Sequence, residues 1–183
     1  MKILSVGPFP KERNNTTCHR SDCLKRYASV YKELDSSQTL SLWYRILYKL
    51  QYVGIRFNLP DGGLNKRLLK EFASNHYDMV WIDKGTTIYP STLRKMKEMQ
   101  PRCILVHYMI DDFMNPYHKS KQILDTIPLY DHYIVNRQVN VKELKERGCK
   151  HPICVFMSYE KNFHYPRTLQ VEDYDRLGGI LVL

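Results

Sequence analysis

Short runs of continuous apolar residues alternate along the chain with stretches of helical periodicity. That alternation predicts βαβ units built on a parallel sheet. Lys2–Val6 reads as the first strand, ended by Gly7-Pro8. A polar loop from Lys11 follows, in which Thr16 or Thr17 is placed to cap the next helix with its hydroxyl. Leu24, Tyr27, Ala28, Tyr31 and Leu34 share one face at helical spacing, so that helix is expected to carry all five. Gln38–Leu42 reads as the second strand. Trp43–Phe57 then reads as a helix on the spacing of Trp43, Ile46, Leu47, Leu50 and Val53. Leu59-Pro60-Asp61-Gly62-Gly63 breaks the chain, and Asp61 is placed to cap a helix marked by Leu64, Leu68, Leu69 and Phe72.

Asp78–Asp83 is the third strand. Its Met79, Val80, Trp81 and Ile82 are too continuously apolar for a half-exposed strand and fit one buried on both faces. Pro90 suits a first helical turn, with Leu93 and Met96 pointing one way. Cys103–His107 is the fourth strand and Asp111–Pro116 a polar turn. Ile123, Leu124 and Ile127 mark a short helix that Pro128 ends. His132–Val135 is the fifth strand. Asn140 and Glu143 have the spacing of a capping box, opening a helix that stops at Gly148. Ile153–Met157 is the sixth strand. The fold class is therefore α/β: a Rossmann-like, mostly parallel, doubly wound sheet over residues 1–158. Residues 159–183 read as a polar linker, punctuated by proline and glycine, and a final strand, Ile180–Leu183.

A chain of 183 residues suits one such domain with a remainder. No apolar run approaches bilayer length, and the N-terminus lacks a small-residue cleavage site, so a cytoplasmic location is expected. Five cysteines without a signal peptide argue for reduced thiols. Cys18/Cys23 fall on a helix and Cys149/Cys154 astride a strand, which fits incidental thiols better than zinc ligands, and no metal is expected. The net charge of +9 fits either a basic solvated surface or a bias of partners towards anions: nucleic acid, an acidic membrane surface, sugar nucleotides or an anionic polysaccharide. Between Tyr44 and Lys70, Arg45, Lys49, Arg56, Lys66, Arg67 and Lys70 face only Asp61, with Tyr44, Tyr48 and Tyr52 at every fourth position. That segment fits either a polyanion or membrane contact or a solvated helix surface.

Ligands of open parallel sheets bind at the carboxyl ends of the strands. The residues just past those ends are Gly7, Pro8 and the loop to Arg20; Asp83, Lys84 and Gly85; His107, Tyr108, Asp111, Asp112 and Asn115; Asn136 with Arg137; and Ser158 with Tyr159. The first turn carries neither GxGxxG nor GKS/T, which disfavours NAD or ATP bound in the usual manner and leaves no cofactor expected. The helix opening at Thr16 and Thr17 presents free N–H groups, and with Arg20 one turn in it fits an anionic or hydroxylated ligand or a plain capped helix. Asp111-Asp112 fits general-base work, magnesium binding, or an Asx-turn into Phe113-Met114-Asn115-Pro116. His107 is either a base or a packed histidine.

Val80-Trp81-Ile82-Asp83-Lys84-Gly85, His107-Tyr108-Met109-Ile110-Asp111-Asp112-Phe113-Met114-Asn115-Pro116 and Pro128-Leu129-Tyr130-Asp131 together resemble the CgeB-type, spore-maturation class of glycosyltransferase-like proteins. Met1–Gly7 with the Thr16/Arg20 segment is similar to that family's start. The resemblance implies a GT-B architecture of two Rossmann-like domains facing across a cleft. It implies that this is the acceptor-side domain, with no obligatory metal, and that the other domain binds the nucleotide-sugar donor. The expected acceptor is a glycan or other hydroxylated molecule, and nucleic acid is not among the expected partners. On this reading Asp111, Asp112 and His107 are the catalytic candidates. Gly7, Thr16, Thr17, Arg20, Asp83, Lys84 and Asn115 are the substrate-binding ones. Tyr174-Asp175-Arg176-Leu177-Gly178 then leads into the second domain and Gly179–Leu183 is its first strand, so the chain alone is expected to be inactive. The alternative is a non-catalytic binding module for an anionic polymer or membrane surface.

Overall fold

The computed structural model describes residues 1–37, 58–115 and 120–157, with the isolated positions 46, 47, 49, 50, 166 and 168. Its strands are β1 (Lys2–Gly7), β2 (Val30–Asp35), β3 (Met79–Asp83), β4 (Ile104–Met109), β5 (His132–Val135) and β6 (Pro152–Cys154). Its helices are α1 (Thr16–Lys25), α2 (Leu64–Ser74), α3 (Pro90–Met99), α4 (Lys121–Thr126) and α5 (Gln138–Glu146), with a 3-10 turn at Ile127–Leu129. The six strands form one sheet in the order β2-β1-β3-β4-β5-β6, and every pairing is parallel. This is the α/β, Rossmann-like pattern that the sequence predicts.

Strand register sorts the side chains onto two faces, because successive residues of a strand point to opposite sides. One face carries Leu4, Val6, Val80, Ile82, Leu105, Met109, Tyr133 and Val135. These pack with Leu64, Leu68 and Phe72 of α2, Leu93 and Met96 of α3, Ile123 and Leu124 of α4, and Leu144 of α5. Each fully buried side chain of this size stabilises the fold by roughly 1.5–3 kcal/mol. Ile3, Ser5, Tyr31, Glu33, Trp81 and Tyr108 belong to the other face. There α1 lies over β1 and β2, with Ser21 hydrogen-bonded to Tyr31 and Glu33. Helices therefore cover both faces, as a doubly wound sheet requires.

The second strand is not the one expected. Gln38–Leu42 lies outside the described residues, and so, apart from the isolated positions, does the Trp43–Phe57 helix. Val30–Asp35 takes the second place in the sheet, and α1 stops at Lys25. The helical spacing of Tyr31 and Leu34 with Leu24 and Ala28 is thus coincidental. β2 is an edge strand whose polar Glu33 is secured by distant partners, so its sequence lacks the apolar run of the central strands. Residues 159–183, apart from Pro166 and Thr168, are likewise outside the described residues, as is Ser158.

Several local expectations are met in the structure. Pro90 is the first residue of α3. Asp61 accepts from Gly63 N at 3.2 Å and Asn65 N at 2.9 Å, ordering the start of α2. Gly148, at φ +80°, ends α5: its N–H reaches Lys145 O at 3.0 Å while Cys149 N reaches Leu144 O at 2.9 Å, a Schellman closure. Two caps differ. Asn15, not Thr16 or Thr17, caps α1 by accepting from Cys18 N at 2.8 Å and donating to Pro8 O at 2.8 Å. Asn140 is not a cap either: α5 starts two residues earlier, behind Arg137, and leaves Asn140 inside the helix. Among the described residues no helix is long and apolar enough to cross a membrane.

Candidate functional site

The chain leaves β1 outward to β2 and returns to β3 on β1's other side, so the carboxyl ends of β1 and β3 flank the topological switch point, where such sheets open a crevice. Asp83, the last residue of β3, is 2% exposed there. Its carboxylate pairs with the Arg20 guanidinium: Nε donates to Oδ1 at 3.1 Å and to Oδ2 at 3.3 Å, and Nη2 makes a further short contact to Oδ1. Trp81 stands on the same side of the strand and donates from Nε1 to Asp83 Oδ2 at 3.0 Å. The Arg20 guanidinium lies 4.3 Å from the centre of the Tyr108 ring, and Tyr108 stacks on Trp81 at 5.5 Å. A buried charge is thus fully partnered, as its desolvation demands.

Gly7 is part of this arrangement for a steric reason. A Cβ at this position would stand 2.7 Å from Thr17 Cγ2 and 3.0 Å from Asp83 Cβ. Its missing side chain lets α1 approach the sheet, and that approach carries Arg20 to Asp83. The loop between β1 and α1 is fixed independently. Phe9 N donates to Asp35 Oδ1 at 2.9 Å. Arg13, in the left-handed region at φ +47°, forks onto Glu33 at 2.9 and 3.0 Å and reaches Asp22 at 2.7 Å. Burial acts to raise the Glu33 carboxyl, but the hydrogen bonds from Arg13 and Ser21 outweigh it and hold that group below its ordinary range.

The chain turns sharply after β3. Lys84 (φ +64°) and Gly85 (φ +50°) are consecutive left-handed residues. At Gly85 any side chain would collide, with Ile82 Cγ2 at 2.8 Å and His107 Nε2 at 2.9 Å from a built Cβ. At Lys84 the chain holds an L-residue in a conformation that glycine adopts without cost. Three hydrogen bonds fix the turn: Lys84 N to Tyr108 O at 3.0 Å, Gly85 N to Asp83 O at 2.8 Å, and His107 Nε2 to Lys84 O at 3.1 Å. The last requires the proton on Nε2. His107 is 1% exposed and lies against Tyr130 and Tyr133, with ring centres at 4.8 and 4.3 Å. Burial pushes its imidazole down to about 3, against a small opposing effect of the Lys84 carbonyl. It is a neutral, packed histidine behind the rim.

Asp111 and Asp112 follow β4. Asp111 Oδ2 lies 3.0 Å from Lys84 Nζ. Asp112 Oδ1 accepts from Met114 N at 3.1 Å, which is the Asx-turn among its three readings, and from Asn140 Nδ2 at 3.2 Å. Its Oδ2 stands 3.4 Å from Arg137 Nη1. Asn140 also donates to Glu143 Oε2 at 2.7 Å. Each carboxylate of the pair therefore faces its own cation.

The contacts link most of the candidates along one rim: Thr17, Arg20 and Asp83 in one group, Lys84 with Asp111 in the next, Asp112 with Arg137 and Asn140 in the third. Thr16, Asn115 and Arg137 are exposed, and Lys84, Asp111 and Asp112 partly so. Gly7, Thr17, Asp83 and His107 lie beneath them as support. Sequence reasoning missed Trp81, Arg13 and Asn140. Trp81 was legible, since alternation sets it on the side of Asp83. Arg13 acts through partners distant in sequence and carried no local signal, and Asn140, read from the sequence only as a helix cap, reaches Asp112 from inside α5. Among the described residues no group of three or more histidine, cysteine, aspartate or glutamate side chains is arranged to hold a metal ion. No protein-family model matches the chain, and no curated protein matches it.

Proposed function

We propose that this chain is the acceptor-side, Rossmann-like domain of a GT-B glycosyltransferase that uses a nucleotide-sugar donor. The observation that carries the reading is the polar rim at the β1/β3 switch point and its continuation over β4 and β5. An ion-paired floor of Arg20, Asp83, Trp81 and Tyr108 sets a strained Lys84 beside Asp111 and Asp112. Fixed polar groups on rigid strand ends are what positioning a hydroxyl acceptor requires. The strings that carry the family resemblance, Asp83-Lys84-Gly85 and Asp111-Asp112, form this rim. The turn after β1 lacks a phosphate-binding loop, in keeping with a domain that does not take the donor.

In this reading Asp111 is the general base of transfer. It is the carboxylate of the pair outside the Asx-turn, and Lys84 orients it. Asp112 shapes the turn, and His107 positions Lys84 without touching substrate. Thr16 and Asn115 border the acceptor. The test is a product assay of the chain combined with a donor-binding Rossmann-like half. Asp111→Asn is expected to abolish transfer and leave the fold intact, and an Asp111→Asn chain with full activity removes the assignment.

A second reading, a non-catalytic module for an anionic polymer, is favoured by the exposed Lys66, Arg67 and Lys70 of α2 and Arg94 and Lys95 of α3. Binding to a polyanion that survives loss of the rim but not of these five cations would support it.

A further inference from the structure

The segment between β2 and α2 carries a pattern that the acceptor-side reading leaves unused. From Ser36 to Pro60 the chain has no aspartate or glutamate. Within it, Trp43, Ile46, Leu50, Val53 and Phe57 recur at helical spacing as one apolar stripe, and Arg45, Lys49 and Arg56 recur as a row of cations beside it. The structure shows which side of that pattern meets solvent. Ile46, Leu47, Lys49 and Leu50 are helical. Lys49 is exposed, Ile46 is 40% exposed and Leu50 38%, while Leu47, on the edge of the stripe away from Lys49, is only partly exposed. Ile46 adjoins Leu50 at i+4 and Lys49 at i+3, so the three form one continuous face. Ile46 and Leu50, which such a stripe serves to bury, instead face outward beside a cation.

We propose that this face is a docking surface for an anionic lipid bilayer, with Ile46 and Leu50 entering the acyl boundary and Lys49 staying among the headgroups. Each half of the pattern disfavours a different alternative. A soluble polyanion uses Lys49 and the cations of its row but leaves Ile46 and Leu50 in water. An apolar protein groove covers those two side chains but desolvates the neighbouring cations, which no acid of this segment compensates. A bilayer rich in anionic lipid satisfies both halves at once: the apolar side chains leave water, and each cation near the surface strengthens binding about fivefold. Tryptophan and tyrosine favour the same boundary, and the segment carries Trp43, Tyr44, Tyr48 and Tyr52. A helix over residues 43–57 reaches about 22 Å, short of the roughly 30 Å hydrocarbon core, so the contact lies on the surface and does not cross it. The proposal needs neither acceptor nor donor and stands apart from the transferase reading.

The experiment is co-sedimentation of the full chain, at low ionic strength, with vesicles of phosphatidylcholine alone or mixed with phosphatidylglycerol. Circular-dichroism melts establish that each variant is folded. The expected result is sedimentation with the mixed vesicles and less with the neutral ones. Ile46→Gln and Leu50→Gln remove apolar surface without adding charge, and each is expected to weaken binding to the mixed vesicles about tenfold. Lys49→Ala is expected to weaken it about fivefold. Val139→Gln, which replaces a 61% exposed valine on α5, leaves it unchanged. Absence of sedimentation with the mixed vesicles overturns the proposal, and so does a loss in Val139→Gln equal to that in Ile46→Gln. Binding that survives Ile46→Gln and Leu50→Gln but disappears when Lys66, Arg67 and Lys70 of α2 are replaced by alanine assigns the contact to a general polyanion surface and overturns it too. These measurements involve no transfer, so a failed docking surface and a failed transferase reading give separate results.

Discussion

At the scale of single residues, the rim depends on groups that never reach its surface. His107 is the sharpest example. Its folded pKa is depressed to about 3 by burial, while in the unfolded chain it titrates near an ordinary histidine value of about 6.5. Between those values the unfolded state binds a proton that the folded state refuses, so stability falls as pH drops through this window. The expected loss is about 1.4 kcal/mol per pH unit below 6.5. In His107→Gln, which keeps a donor for the Lys84 carbonyl, that slope disappears. Urea unfolding at pH 7, 6 and 5 checks this, and an unchanged slope in the variant counts against a buried neutral His107. Gly85→Ala places a methyl group against Ile82 and His107 at positive φ, and is expected to cost about 2 kcal/mol or more. The same substitution at Gly63, also at positive φ but with nothing within 4 Å, provides the control for backbone strain alone.

At the scale of elements, the Arg20–Asp83 ion pair ties α1 to the end of β3 at the switch point. Its two charges are unequally placed: the Asp83 side chain is 1% exposed and the Arg20 side chain 19%. Removing one partner of a buried pair costs about 3–5 kcal/mol, because the other charge is left unsolvated. Arg20→Met leaves Asp83 no access to water and is expected to fall in that range. Asp83→Asn leaves an arginine that can turn towards solvent and is expected to cost less. The double variant should recover part of the loss of Arg20→Met, as chemical denaturation of the four proteins would show. Much of this scale was legible. The apolar runs in β1, β3, β4 and β5 marked strands because central parallel strands are buried on both faces. The rim was legible as a list of residues past those ends, since topology alone puts them on one side of the sheet. Two kinds of feature were not. β2 was hidden because edge position leaves its sequence polar and its stability rests on Arg13 and Ser21. The roles within the list were hidden because burial decides them: Asp83 and His107 read like Asp111 until the fold shows which of them meet solvent.

At the scale of the whole molecule, the described residues build one sheet and one rim. Transfer between two bound substrates requires the reacting atoms to be held about 3–3.5 Å apart, which in a GT-B enzyme is the work of two closing domains. On the proposed reading, a domain that holds only the acceptor is expected to bind acceptor and to turn over no donor by itself. The central claim, an acceptor-side domain, is tested most directly by calorimetric titration of this chain with a panel of nucleotide sugars and of neutral and phosphorylated glycans, run beside a product assay. The account predicts acceptor binding that Lys84→Gly weakens, nucleotide-sugar binding independent of the base, and no product. Micromolar, base-dependent donor binding, or any turnover by the chain on its own, would contradict it.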